Sequence, residues 1–134
     1  MKAADTSVVV AAFASWHENH ERARAILDSG LRLIEHCALE AYSVLTRLPP
    51  PHRCSGSVVR DFLSQRFPQP FLRLDGPSFK AFVLHLPQHE IAGGAAYDAL
   101  VAATASKNRA ELVTCDKRAA AVYENYNVKA VFIG

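Results

Sequence analysis

Strand-like and helix-like segments alternate along the whole chain, and this alternation most narrows what it can fold into. Short apolar or alternating runs at Lys2–Ala4, Leu31–His36, Phe71–Leu74, Glu111–Thr114 and Lys129–Ile133 predict strands. Helical spacing between them predicts helices over Val8–Ala14, Glu18–Ser29, Ala38–Leu48, Val58–Phe67, Ser78–Leu86, Ala95–Lys107 and Lys117–Tyr126. Thr6 and Ser7 suit the cap of the first helix and Gly30 the stop of the second. Pro49-Pro50-Pro51 ends the third. Strands separated by helices pair in parallel through right-handed crossovers. The expectation is a three-layer α/β/α domain with a mostly parallel central sheet of four to five strands. Ligands of such sheets bind beyond the carboxyl ends of the strands.

Residues 1–134 are expected to form one domain, with no internal repeat and no linker long enough to divide them. Half the residues are hydrophobic and 21% are charged, a globular and not a disordered balance. The three cysteines, Cys37, Cys54 and Cys115, are odd in number and lack metal-ligand spacing, so they read as small hydrophobes. Asp5 sits where a signal peptide would be basic, and no stretch is long enough to span a bilayer. A cytoplasmic, soluble protein without a membrane contact is expected.

Four acids occupy places where a carboxylate is expensive. Asp5 ends an apolar strand and precedes an apolar helix. Glu40 lies alone in Ala38-Leu39-Glu40-Ala41-Tyr42. Asp98 is the only charge in Ala95-Ala96-Tyr97-Asp98-Ala99-Leu100-Val101-Ala102-Ala103, and Asp116 directly follows Leu112-Val113-Thr114-Cys115. A buried carboxylate is normally paired, protonated or metal-bound. In the expected topology Asp5 and Asp116 fall at strand ends, and Glu40 and Asp98 near helix starts that can face the same edge. Two charges about 4 Å apart repel by roughly 4 kcal/mol at an effective dielectric near 20, so convergence calls for a cation or for proton uptake. An all-oxygen site suits Mg²⁺ or Mn²⁺, which can activate water and stabilise phosphoryl oxyanions. Asp5 and Asp116 also suit plain helix caps, and Glu40 could face solvent.

These residues also carry a resemblance. Met1-Lys2-Ala3-Ala4-Asp5-Thr6-Ser7-Val8 resembles the opening of PIN-domain proteins. Tyr97-Asp98-Ala99-Leu100-Val101-Ala102-Ala103-Thr104-Ala105 resembles their central helix, and Leu112-Val113-Thr114-Cys115-Asp116-Lys117 their Thr-X-Asp strand end. Glu40 matches the family's second acid. Glu35 is a rival for that role, but a mid-strand position would aim it away from the carboxyl edge. At this length the chain is most similar to the VapC toxins of bacterial toxin–antitoxin pairs. The resemblance implies a Mg²⁺- or Mn²⁺-dependent endoribonuclease with one or two ions, commonly a homodimer, acting on RNA and inhibited by a VapB-type antitoxin. Many members carry a further acid about one turn beyond the Thr-X-Asp aspartate; Ala119 and Ala120 stand there instead, which puts a second ion in doubt.

Thr6, Ser7 and Thr114 are expected to orient the acids through hydrogen bonds, or to serve as caps and turns. Net charge is only +2, from 15 basic and 13 acidic residues. With four acids gathered in one site, the rest of the molecule is distinctly basic. Arg47 and Arg53, and Lys117 and Arg118, are the candidate contacts to RNA phosphates, with scattered solvated charge as the alternative. Trp16, His17 and His20 could stack on a base or meet a partner. The apolar faces of residues 8–29 and of Val58–Phe67 would suit an antitoxin helix, unless they are core. The rival functions are a catalytically silent PIN-like or receiver-like metal-binding module, a nuclease acting on DNA, and a pure interaction protein. A receiver usually opens on adjacent acids, which are absent near Asp5. The DNA enzymes usually need a longer chain.

Overall fold

A computed structural model describes all residues, 1–134. Four strands form one sheet in the order β2-β1-β3-β4, and every pairing is parallel. They are β1 (Lys2–Ala4), β2 (Arg32–Leu33), β3 (Glu111–Thr114) and β4 (Ala130–Phe132). The helices are α1 (Thr6–Phe13), α2 (His20–Asp28), α3 (Glu35–Thr46), α4 (Gly56–Arg66), α5 (Gly76–His85), α6 (Ala95–Lys107) and α7 (Lys117–Asn125). A 3-10 turn, Leu86–His89, follows α5. Sequence and structure agree on the bounds of β1, α6 and β3.

The sheet's centre is built of small residues flanked by branched ones. Ala3 and Ala4 of β1 are fully buried, opposite Leu112 and Val113 of β3, which are also fully buried. Ala99, Ala102 and Ala105 put small residues on the packed face of α6. Small side chains let helix and sheet approach closely, as a three-layer packing requires. The chain leaves β1 for β2 in one direction and β3 for β4 in the other. With right-handed crossovers, α1 and α2 cover one face while α6 and α7 cover the other. The crevice past the carboxyl ends of β1 and β3 is therefore the switch point at which open α/β sheets bind ligands.

Three sequence expectations need correction. Leu31–His36 is not one strand: β2 holds two residues and α3 starts at Glu35. Phe71–Leu74 supplies a single bridge, Ile34 with Leu72, in place of a fifth strand. Its backbone bonds explain both differences. The Leu72 N–H donates to the Leu33 carbonyl (2.8 Å), and the Glu35 N–H, left without a partner inside the helix, donates to the Leu72 carbonyl (2.9 Å). The sheet edge and the helix start thus share one residue, and Glu35 turns outward, 57% exposed near Arg73. Finally, the cap of α1 is Asp5 and not Thr6 or Ser7: its side chain accepts the Val8 N–H.

Candidate active site

Each acid is delivered by an element boundary. Asp5 follows β1, where its backbone N–H still pairs with the Val113 carbonyl (3.2 Å). Asp116 follows β3 by one residue and caps α7, with Oδ1 accepting the Arg118 N–H (2.9 Å) and the Ala119 N–H (3.4 Å). Asp98 lies in the first turn of α6. Glu40 lies in the second turn of α3, its side chain 43% exposed. All four line one cavity of about 300 Å³ at the switch point.

Asp5 is the anchor. It is 3% exposed and its carboxylate is held on both oxygens. Oδ1 accepts from the Ser7 hydroxyl (2.5 Å) and the Val8 N–H (3.3 Å), and Oδ2 from the Tyr123 hydroxyl (2.8 Å). Burial pushes its carboxyl above the usual aspartate range. The Ser7, Thr114 and Tyr123 side chains and the Val8 N–H act in the opposite direction. Tyr123, itself buried, is kept in its phenol form by that burial and by the charge of Asp5.

Ser7 ties two strand ends together. Its hydroxyl donates to Asp5 and accepts the Cys115 N–H (2.9 Å), and it approaches the Thr114 hydroxyl (3.4 Å). Thr114 in turn accepts the Asp116 N–H (3.0 Å). The hydroxyls of Ser7 and Thr114 therefore run from one strand-end acid to the other. Thr6 lines the cavity beside Cys37, whose thiol is held protonated by burial and then by Asp5.

Asp98 is the acid left wanting. It is half-buried and accepts no hydrogen bond from the protein. Desolvation raises its carboxyl first, then repulsion from Asp116, Asp5 and Glu40, with only His36 pulling the other way. Four carboxylates in mutual range, Asp98 and Glu40 among them without a hydrogen-bond donor, form an all-oxygen donor set of the kind hard divalent cations take. The side chains line the cavity without closing into a ready-made cage of three or more ligands. That fits Mg²⁺, which keeps several of its waters and needs one or two carboxylates directly.

No Lys or Arg lines the cavity. Lys117 and Arg118 stand beside it in the first turn of α7, with Lys117 over the Phe132 ring. Arg47 and Arg53 are outside it, bonded to the Ser43 hydroxyl and the Leu48 carbonyl. Sequence reasoning passed over His36 and Tyr97, which do line the cavity. His36 stands one turn before Glu40 and Tyr97 one residue before Asp98, so proximity to the acids was the available signal. Their rings stack with centroids 5.4 Å apart and planes within 8°. Of the histidines near α1, His17 reaches the cavity wall, while His20 bonds the Ala11 carbonyl instead.

Comparison with known proteins agrees with this architecture. A family model for the PIN domain matches residues 3–125. The chain is 47% identical over 133 residues to Ribonuclease VapC40 of Mycobacterium tuberculosis (strain ATCC 25618 / H37Rv), covering 99% of both chains. It is 40% identical over 130 residues to Ribonuclease VapC27 of the same strain, covering 96% of this chain and 94% of that one. In fold it is similar to the crystal structure of FitAcB from Neisseria gonorrhoeae, with a TM-score of 0.71 and 20% identity over 97% of this chain and 96% of that one.

Proposed function

The chain belongs to the PIN-domain family and is a VapC-type toxin endoribonuclease, and we propose that it cuts RNA through a divalent-metal site formed by Asp5, Glu40, Asp98 and Asp116. The observation that carries the proposal is Asp98, a half-buried carboxylate without a protein donor, facing three other acids across one cavity. Such a group needs positive charge beside it or must take up a proton. Mg²⁺ or Mn²⁺, when bound there, supplies that charge, lowers the pKa of a water and offsets the charge of the phosphate in flight.

The chain's own residues do the positioning. Asp5 cannot swing, because Ser7, Val8 and Tyr123 hold both its oxygens. Asp116 gives Oδ1 to the start of α7, and its Oδ2 accepts no hydrogen bond from the protein. Asp98 and Glu40 are free of such bonds and can adjust to the ion. The cavity holds no Lys or Arg, so among four acids only His17 and His36 stand with a bound cation to offset a phosphate's charge. Phosphates flanking the cut are assigned to the rim, with Lys117 and Arg118, which follow Asp116 on α7, and Arg47 and Arg53 as the candidate contacts. In-line attack by water would leave a 5′-phosphate and a 3′-hydroxyl.

A VapB-type antitoxin as inhibitor, a homodimer and a cytoplasmic location belong to the same reading. Membership of the VapC group supports the first. No helix is long and apolar enough to cross a membrane. For a partner surface, α5 is better suited than the stretches expected from sequence. The apolar side chains of α1 are mostly core, whereas α5 buries none and leaves Phe79, Val83 and Leu84 exposed.

The test is cleavage of total cellular RNA by the purified protein with Mg²⁺, with Mn²⁺ and with a chelator, beside an Asp98→Asn control. Discrete fragments ending in 5′-phosphates, dependent on metal and missing with the variant, are expected. Metal-independent cleavage leaving cyclic phosphates would overturn the mechanism. A folded protein that binds the ion but cuts nothing would be a silent module.

A further inference from the structure

Resting on the nuclease reading above, we infer that Tyr97 is a stacking platform for one nucleobase of the RNA, next to the phosphate that is cut. Tyr97 lines the acidic cavity yet is 59% exposed, so it stands at the mouth. It directly precedes Asp98 on α6, which fixes its ring within one residue of the acid that most needs a cation. Its ring stacks on His36, within 8° of parallel and with centroids 5.4 Å apart, while more than half of the residue stays exposed. His36 itself is mostly buried: its side chain is 21% exposed, and its Nε2 lies 3.7 Å from Glu40 Oε2, beyond hydrogen-bond distance. An exposed aromatic ring backed by a second ring, at the mouth of a cavity that would take the phosphate, is the arrangement that receives a splayed-out base.

The electrostatics favour this occupant. Four carboxylates line the cavity and no Lys or Arg does, so the usual phosphate contacts are missing where the chain must be positioned most closely. Base stacking is uncharged, works beside acids and suits a strand held elsewhere by rim cations. Trp16 is a weaker candidate. It is 51% exposed, but it does not line the cavity and its ring is engaged with His52 at 4.5 Å.

Removing one stacked base contact should weaken RNA binding by about 10-fold. Two measurements test this on the full chain. The first selects from a randomised single-stranded RNA library with the non-cleaving Asp98→Asn protein, carrying Tyr97, Tyr97→Phe or Tyr97→Leu, and sequences the bound fraction. The second follows cleavage by the same Tyr97 series with Asp98 intact. Expected are a base preference at one position that Phe keeps and Leu loses, and a KM that rises with Leu while kcat at saturation and the melting temperature hold. Identical preference and KM across the series, or no RNA retained by the Tyr97 parent, would overturn the inference and leave this ring to a protein partner. If the library is enriched through Tyr97 but nothing is cleaved, the platform stands and the nuclease reading falls.

Discussion

Asp5 and Asp98 are raised for different reasons, and the difference can be measured. Asp5 is dominated by burial and is relieved by its hydrogen bonds, whereas Asp98 is raised by burial and then by its three neighbouring acids. An unfolded aspartate titrates near 3.8. Between that value and the raised folded one, the folded state keeps a proton that the unfolded state has released, so stability falls as pH rises. The contribution is fully present below 3.8 and is lost as pH climbs through the folded pKa. In metal-free buffer the urea midpoint should therefore decline from that pH toward neutrality. Asp98→Asn should flatten the decline and raise the neutral midpoint while abolishing cleavage. A variant less stable than the parent at neutral pH would mean that Asp98 is paired in a way the structure does not contain. Tyr123→Phe is the counterpart: it removes a hydrogen bond to a buried charge, at a cost of about 1.5–3 kcal/mol. Its fold should weaken, and its cleavage should fall, because Asp5 is no longer held on Oδ2.

At the scale of elements, the Ser7 hydroxyl is the joint between the start of α1 and the end of β3. Ser7→Ala leaves the Cys115 N–H without its acceptor and leaves Asp5 Oδ1 with the Val8 N–H as its one donor. Thermal unfolding should register a loss of about 1–3 kcal/mol, with cleavage reduced more than stability alone explains. Joints also mark where sequence was legible. Strand β3 and helix α6 were readable to the residue, because each is set by its own composition: Leu112-Val113-Thr114 in one case, an unbroken Ala-rich run in the other. The start of α3 was not. Leu31 to His36 alternates convincingly, and what cuts the strand short is Leu72, a residue far away in sequence that takes the Glu35 N–H. Glu40 and Glu35 are separated in the structure by position on α3, and not by the strand position expected of Glu35. Glu35 does not lie mid-strand; it is the first residue of α3 and turns outward near Arg73, while Glu40, further along α3, lines the cavity. Glu40→Gln should lower metal-dependent cleavage by at least ~10-fold, as loss of a metal-orienting group does, and Glu35→Gln should leave it near the parent rate.

For the molecule as a whole, folding and metal binding draw on the same charges. The topology carries Asp5 and Asp116 to one edge on neighbouring central strands, and α3 and α6 bring Glu40 and Asp98 to meet them. The ionised site bears that repulsion without a Lys or Arg in the cavity to offset it. A divalent ion that binds the folded state alone must then stabilise it, by about 2.7 kcal/mol at a hundred times its dissociation constant. The melting temperature should rise by several degrees with Mg²⁺ or Mn²⁺ at neutral pH. The rise should shrink as pH falls toward 3.8, because Asp98 and Asp5, whose carboxyls are raised, take up protons in place of the ion. Asp98→Asn should start higher without metal and gain less with it, so the two melting curves converge as the ion is added. Parallel curves would place the ion elsewhere on the surface, and with it the assignment of these four acids as its site would fall.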